Sequence, residues 1–149
     1  MFNATMMQYA KQEAALKKVK FSRGRITRIR KALIEVLCRA GLPVSSAHIL
    51  QSLKKKGLNP HRTTVYRELL FLAGNDIVQK VVLDGENYFE ISSSHHHHLI
   101  CRKCRSIEEV VLGPHLEGQE HRIFQKRGFK VSHHSLEFYG LCKNCQDGR

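Results

Sequence analysis

Two Cys-x-x-Cys pairs constrain the fold of the second half of this chain more than any other feature. The first pair is Cys101 with Cys104, and the second is Cys142 with Cys145. Four thiolates in two such pairs are the ligand set of a closed tetrahedral Zn²⁺ site, so the chain between them must fold back on itself. A redox-active dithiol is the alternative, but it needs only one pair. We therefore predict a structural Zn²⁺ site, because a closed four-sulfur site has no open position for a substrate.

Four consecutive histidines, His95 to His98, precede the first cysteine pair in an apolar, strand-like context. On a β-strand, successive side chains point to opposite faces. His95 and His97 would then face one way, and His96 and His98 the other. One run can therefore serve two metal sites. The alternative is a solvated loop that binds metal adventitiously.

Candidate partners for these histidines are Glu90, which precedes the run, and Glu117 and His134, which follow it. Mixed nitrogen and oxygen ligands suit Zn²⁺, Fe²⁺ or Mn²⁺ and bind them more exchangeably than four thiolates do. This exchangeability is what a metal sensor requires.

The charge of the chain favours an anionic partner. Its 149 residues include 25 Lys or Arg and 13 Asp or Glu, a net charge of +12. Residues 11–31 hold nine Lys or Arg and a single acid, Glu13, so the positive charge is clustered rather than spread over a solvated surface. We predict that this basic arm contacts nucleic acid.

The sequence does not have the features of a membrane-spanning or secreted protein. The chain has no run of about 18 apolar residues, and "MFNATMMQYAKQ" lacks the apolar core of a signal peptide, so we expect a cytoplasmic protein without a membrane partner. Cysteines paired for metal suit a reducing compartment. The fifth cysteine, Cys38, lies on an apolar helix face and is predicted to be a core residue.

The first half shows helical periodicity in three segments. Apolar residues recur at helical spacing in 26–40, in 46–56 after Ser45 or Ser46 as N-cap, and in 61–74 after Asn59-Pro60. The β-rich residues 76–91 then turn at Asp84-Gly85, a strong hairpin signal. Three helices followed by a hairpin predict a winged helix-turn-helix domain over residues 1–91.

The third helix is predicted to enter the major groove of DNA. It buries Val65 and presents Thr64, Tyr66 and Arg67 on another face, where tyrosine and arginine can contact a thymine methyl group and a guanine edge. For Tyr66, the alternative is packing in the core.

The character of the sequence changes at residues 92–94, which we predict to be a hinge. Residues 97–101, 106–112 and 128–142 have strand patterns, and residues 114–128 between them have a helical pattern. Residues 95–149 are therefore predicted to form a small α+β domain.

These motifs occur in one recognisable order. A basic arm with "TRIR", a helix with "TTVYREL", a wing ending in "YFEI", then "HHHHLICRKC" and "GLCKNC" span residues 22–145. In this combination the chain resembles the ferric uptake regulator family of bacterial metal-responsive repressors. The resemblance implies an α+β protein with an N-terminal winged helix and a C-terminal α/β dimerisation domain that holds structural zinc.

The resemblance also implies roles for individual residues. The four cysteines would hold the structural zinc, a sensory site at the hinge would use Glu90, His96 and His98, and Arg25 would reach the minor groove beside Tyr66 and Arg67. A further site in the dimerisation domain would use the remaining candidates. These are His95, His97, Glu117 and His134.

The chain departs from the family pattern at several positions. Pro43 stands where iron-sensing members have a hinge histidine, and His48 is a possible substitute. Gln79 stands where zinc-sensing members commonly have an acid, and Arg105 stands where glycine usually follows the second cysteine. The regulatory ion is therefore predicted to be Fe²⁺ or Zn²⁺ ahead of Mn²⁺.

These observations predict a non-enzymatic homodimeric repressor that binds a palindromic operator in double-stranded DNA when its sensory metal is bound. The missing hinge ligand leaves a second hypothesis open, a constitutive DNA-binding protein that is stabilised by zinc. A third hypothesis, from another class, is a metal-dependent hydrolase with an open zinc position.

Overall fold

The computed structural model divides the chain into two compact units, Met1–Ser93 and Ser94–Arg149. It describes residues 4–91, 96–113, 115–132 and 134–146. The predicted hinge at 92–94 and His95 lie outside these ranges. Helices and strands occur in both units, so the α+β class predicted from the sequence is confirmed.

The first unit contains four helices in its described part. The helices predicted from apolar periodicity are present. The predicted N-cap Ser45 accepts a hydrogen bond through its side chain from the backbone N–H of His48, and Thr27, which was not predicted as a cap, accepts one from the backbone N–H of Arg30. Gly41, at φ +66°, ends one of them in the left-handed conformation that glycine favours. The helices are α1 (Ala4–Phe21), α2 (Arg28–Ala40), α3 (Ser46–Lys55) and α4 (Arg62–Gly74).

The predicted basic arm, residues 11–31, is largely helical in the structure. Lys11 to Phe21 form the larger part of α1, an 18-residue helix that the sequence patterns did not predict. Ala15 and Val19, one turn apart, are buried in the core that α1 shares with α2. The arm that remains is the short segment between α1 and α2, which contains Arg25.

The wing follows α4 as a hairpin of β2 (Val78–Leu83) and β3 (Glu86–Ile91). Its turn is Asp84-Gly85, with φ angles of +49° and +80°, as a two-residue type I′ turn requires. A two-residue strand, β1 (Val44–Ser45), pairs with β3 and completes an antiparallel sheet of order β1-β3-β2. This hairpin places Gln79 directly opposite Glu90.

One apolar core holds the first unit together. It combines the inner faces of all four helices with Phe89 of β3, which is fully buried. The predicted core residue Cys38 lies in it, and burial raises the pKa of its thiol to about 11.

In its described residues, the second unit consists of a three-stranded sheet and two helices. Strand β4 lies at the centre, with β5 antiparallel on one side and β6 parallel on the other. Within the described ranges, no helix of either unit is both long and apolar enough to span a bilayer. The elements of the second unit are β4 (His97–Cys101), β5 (Ile107–Val110), α5 (His115–Arg127), β6 (Glu137–Gly140) and α6 (Lys143–Gln146).

Two strand predictions in the second unit were too long. The strand predicted over 128–142 is limited to β6, and the described residues before it form no regular structure. The strand predicted over 106–112 is limited to β5 (Ile107–Val110). The strand predicted over 97–101 is confirmed as β4, and His96 precedes it. Apolar and polar residues alternate too briefly in both segments to set strand ends.

Gly24, between α1 and α2, supports a clear prediction about packing. A Cβ atom at this position would lie 2.6 Å from the ring of Phe71 and 3.0 Å from the carbonyl oxygen of Val19. The ring cannot withdraw freely because the Arg30 guanidinium lies 3.8 Å above it. We expect Gly24→Ala to lower the free energy of unfolding by about 1–3 kcal/mol in urea titrations.

The matched control is Gly74→Ala, at the end of α4, where an added Cβ meets nothing within 4 Å. We expect this change to be neutral or slightly stabilising. Equal effects of the two substitutions would contradict the packing assigned to Gly24.

Candidate metal centres and nucleic-acid interface

The two cysteine pairs meet at one end of the second sheet. Cys101 is the last residue of β4 and Cys104 lies in the turn after it, while Cys142 and Cys145 lie just before and within α6. Because β6 runs parallel to β4, both strands deliver their cysteines to the same end. All four Sγ atoms lie within 4.8 Å of one another.

This geometry fits a tetrahedral zinc ion. Zn–S bonds of about 2.3 Å place the sulfur atoms of a tetrahedral site about 3.8 Å apart. The Sγ atoms of Cys104 and Cys142 are 3.7 Å apart, far beyond the roughly 2.05 Å of a disulfide, and none of the cysteines is in a disulfide. The four residues therefore fit structural Zn²⁺.

The thiols differ in how readily they ionise. Backbone N–H groups of Cys104 and Cys142 lower the pKa of Cys101 to about 6, and the hydroxyl of Ser106 lowers the pKa of Cys104. Burial raises the pKa of Cys145 to about 12. At neutral pH a thiolate at Cys101 is thus available to an incoming cation, whereas Cys145 must release its proton as the metal binds.

Arg105 adopts a left-handed backbone conformation, with φ of +64°. Its backbone N–H donates to the carbonyl oxygen of Cys101 at 2.9 Å, which closes the turn around the first cysteine pair. This is the position at which the family pattern has glycine, and the positive φ supplies the physical reason. The turn forms with arginine in place.

His96 and His98 lie together, with a carboxylate beside them. Their imidazole rings meet edge to face, with centroids 4.9 Å apart. Glu109 of β5 lies opposite His98 in the sheet, and its Oε1 is 3.9 Å from Nε2 of His96. Glu109 was not among the ligands predicted from the sequence. A predicted antiparallel pairing of the strand that follows the first cysteine pair with the strand that contains His97 and His98 would have located Glu109.

Glu90, the third predicted sensory residue, is a buried residue of β3 in the first unit. His96 and His98 belong to the second unit, so membership of Glu90 in their site stays a prediction. The possible hinge ligand His48 is exposed in the first turn of α3, after buried Pro43.

His97 and His134 form a second group. Their rings stack with centroids 5.5 Å apart, and Nδ1 of His134 is hydrogen-bonded to Oε1 of Glu120. Both histidines line a cavity of about 580 Å³ together with Glu117 and Glu120. The structure therefore brings three of the four predicted residues to one cavity, while His95 lies outside the described residues.

Glu120 is a second carboxylate that the sequence analysis missed. It lies one turn after Glu117 on α5, and it is the one hydrogen-bonded to His134, whereas Glu117 is largely exposed. A carboxylate on one imidazole nitrogen fixes the tautomer and orientation of the ring, so that the other nitrogen can face a cation. Glu120 is therefore suited to orient His134.

The nucleic-acid candidates lie on the surface of the first unit. Tyr66 is 41 % exposed, which excludes core packing as its role, and Arg67 and Arg25 are exposed as well. Thr64 is half-buried. A groove of about 540 Å³ runs between α3 and α4, and Tyr66 lines it with several polar and basic side chains. These include Gln51, Lys54, Arg62 and Thr63.

Comparisons with known proteins agree with this arrangement. The sequence profile of the ferric uptake regulator family matches residues 22–139. The peroxide operon regulator of Bacillus subtilis is 33 % identical over 132 residues, which cover 88 % of this chain and 90 % of the relative. The ferric uptake regulation protein of Helicobacter pylori is 30 % identical over 120 residues, which cover 79 % of each chain.

Solved structures show the same fold. The Helicobacter pylori ferric uptake regulator, described as having three functional metal-binding sites, superposes with a TM-score of 0.72 at 26 % identity and covers 93 % of each chain. The Vibrio cholerae ferric uptake regulator superposes with a TM-score of 0.68 at 28 % identity, covering 85 % of this chain and 98 % of the other.

The four-thiol cluster predicts the effect of removing one cysteine. We expect Cys142→Ser to lose its tightly held zinc, because three remaining ligands leave an open, exchangeable site. Native mass spectrometry of protein purified without added metal measures the loss. Cys38→Ala is the control and should keep one zinc per chain, because Cys38 lies in the core of the first unit. Full zinc retention by Cys142→Ser would refute the assignment.

The hydrogen bond between Glu120 and His134 predicts a role in metal affinity. We expect Glu120→Gln to weaken binding of a further Zn²⁺ at the cavity of His97 and His134 by about tenfold or more, with the four-sulfur site still filled. Competition against a chromophoric chelator measures this affinity. Gln119→Ala, at the exposed neighbouring position, should bind like the wild type. Equal affinity of the two variants would show that Glu120 has no such role.

Proposed function

Because the chain belongs to the ferric uptake regulator family, we propose that it is a transcriptional repressor that binds palindromic operator DNA as a homodimer when a regulatory metal is bound. The observation that carries the proposal is the coexistence of two chemically different ligand sets in the second unit. One is the closed cluster of four thiols, and the other is the pair of imidazoles beside a carboxylate.

The regulatory site is proposed to contain His96 and His98, with Glu90 from the wing. Glu109 is an additional ligand suggested by its distance to His96. Two nitrogens with carboxylate oxygens suit Fe²⁺, Zn²⁺ or Mn²⁺, and this set exchanges metal more readily than four thiolates. We place Fe²⁺ and Zn²⁺ ahead of Mn²⁺.

The coupling between metal and DNA follows from where these ligands lie in the sequence. Glu90 belongs to the first unit and the histidines belong to the second, so a metal that takes ligands from both would restrict the angle between the units. In a dimer, that angle sets the spacing of the two recognition helices on a palindrome. The metal thus selects the binding-competent conformers, with a typical coupling of about 1–3 kcal/mol.

We propose that α4 is the recognition helix. Its exposed Tyr66 and Arg67 can contact a thymine methyl and a guanine edge in the major groove, and Thr64 lies on the same helix. Arg25 precedes α2 and is proposed to reach the adjacent minor groove. The clustered positive charge of residues 11–31 supports contact with phosphate.

We propose that two chains associate through their second units. Large apolar side chains are exposed on α5, where Phe124 is 52 % exposed, and on the edge strand β6, at Phe138 and Tyr139. An exposed strand edge and exposed aromatic residues are typical of a surface that a partner chain covers. The additional site of His95, His97, Glu117 and His134 is proposed to stabilise this unit.

Metal titration of DNA binding tests the proposed function. Protein that retains its zinc at the four cysteines is added to a duplex selected from a random pool, with graded Fe²⁺, Zn²⁺ or Mn²⁺. We expect one ion to raise specific affinity about five- to 150-fold. Unchanged affinity with every ion would instead identify a constitutive DNA-binding protein, and turnover of ester or phosphodiester substrates would identify a hydrolase.

The same experiment includes a treatment with peroxide, because some relatives are named as peroxide-responsive repressors. The metal-loaded protein is treated with hydrogen peroxide before the DNA is added. Loss of binding with Fe²⁺ but not with Zn²⁺ would assign a peroxide response, and equal retention would assign a response to metal alone.

The ring contacts predict that the two histidine groups separate by function. We expect His96→Ala with His98→Ala to abolish the metal response while leaving the dimer intact. His95→Ala combined with His97→Ala should instead lower the stability of the dimer or of the second unit. His134→Ala should have the same effect as this double substitution, because His97 stacks on His134.

Gel shifts with graded metal, run beside sedimentation of each variant, measure both properties. His121→Ala, an exposed histidine outside both groups, is the control for the metal response and should leave that response unchanged. The same phenotype for both histidine pairs would contradict the two-site proposal.

A further inference from the structure

Arg30 is a buried cation of the first unit. The residue is only 8 % exposed, although it lies on the helix α2 of a strongly basic segment. A buried guanidinium is tolerated when its N–H groups are paired, and Arg30 is paired in two directions. Its Nε forms a 2.6 Å ion pair with Oε2 of Glu68, and its Nη1 donates to the backbone carbonyl of Arg25 at 2.6 Å.

An aromatic ring supports the guanidinium from one face. The Arg30 Cζ lies 3.8 Å from the centroid of the Phe71 ring, a cation–π contact. Phe71 in turn packs against Gly24, where no side chain larger than hydrogen fits without displacement. The guanidinium is therefore fixed by a carboxylate, a carbonyl and a ring.

These contacts join two segments that the proposed function assigns to different grooves of DNA. Arg25 belongs to the segment between α1 and α2, whereas Glu68 and Phe71 belong to α4. Glu68 directly follows Arg67 and comes two residues after Tyr66. One planar group thus links the backbone of the proposed minor-groove residue to the helix proposed for the major groove.

We propose that Arg30 is a positioning residue for DNA recognition, holding Arg25 at a fixed offset from Tyr66 and Arg67 so that both groove contacts form together. This inference rests on the proposed function. Arginine is required because its fork of N–H donors can serve a carboxylate and a carbonyl at once while its flat face stacks on the ring. Lysine keeps the charge but lacks this planar fork.

If Arg30 had a purely structural role, its replacement would change stability but not the coupling between the two DNA contacts. A buried ion pair often adds little net stability, so a change in stability alone does not identify a positioning role. The distinguishing property is cooperativity. If Arg30 fixes the offset, the effects of Arg25→Ala and Tyr66→Ala on specific DNA affinity should be coupled, and the coupling should depend on Arg30.

The test is a double-mutant cycle of Arg25→Ala and Tyr66→Ala in two backgrounds, wild type and Arg30→Lys. The probe is a duplex that the wild-type protein has selected from a random pool. We expect a coupling of at least about threefold in the wild-type background and none in Arg30→Lys. Arg28→Lys, an exposed arginine two positions earlier, is the control background and should keep the coupling.

A second measurement needs no DNA. Trypsin should cleave after Arg25 faster in Arg30→Lys than in Arg28→Lys, because the carbonyl of Arg25 is no longer held. If Arg30→Lys does not fold, Glu68→Gln, which keeps the shape of the side chain and removes its charge, takes its place in the double-mutant cycle, because it removes the ion pair that links Arg30 to α4. Folding of each variant is checked by circular dichroism.

The outcomes separate the two proposals. Coupling of equal size in both backgrounds, absence of coupling in the wild type, or unchanged cleavage after Arg25 would each overturn the role of Arg30. Failure of the wild-type protein to bind any selected duplex would overturn the proposed function itself, and it would appear before any variant is tested.

Discussion

The second unit depends on its four thiols because it has little else to hold it together. Among its described residues, the buried apolar side chains are Ile100 and two of the cysteines themselves, Cys101 and Cys145, whereas the first unit buries a continuous core. So small an apolar interior rarely stabilises a domain unaided. A metal held by both cysteine pairs would tie α6 to the end of β4, so that the folding of this unit and its metal binding would become one process.

This constraint explains why the proposed regulatory site needs ligands of another kind. Thiolates that stabilise the fold cannot also release their metal in response to supply, so an exchangeable site needs other donors. His96, His98 and Glu109 provide nitrogen and oxygen atoms beside the same central strand, β4. The first unit has its own continuous apolar core, in which no metal ligand of the second unit takes part. The regulatory metal is therefore proposed to act on DNA binding rather than on the fold of the first unit.

Periodicity predicted most of the first unit, because helices α2 to α4 and the hairpin each combine an apolar repeat with a cap, turn or flanking residue that was recognised in the sequence, such as Ser45 or Gly85. Helix α1 escaped prediction because its buried residues are few and its lysines dominate the pattern. Glu109 and Glu120 escaped for a different reason. Glu109 of β5 meets His96, which lies just before the neighbouring strand β4, and Glu120 of α5 meets His134, which lies in the loop before β6. No local spacing in the sequence encodes these tertiary contacts.

The central claim is that two chemically distinct metal environments do two different jobs. X-ray absorption on one sample tests it most directly: the zinc edge of protein with one zinc per chain, followed by the manganese edge after Mn²⁺ is added as a second ion. The account predicts four sulfur neighbours at about 2.3 Å for zinc, and only nitrogen and oxygen neighbours for manganese. Nitrogen in the zinc shell, or sulfur in the manganese shell, would contradict it.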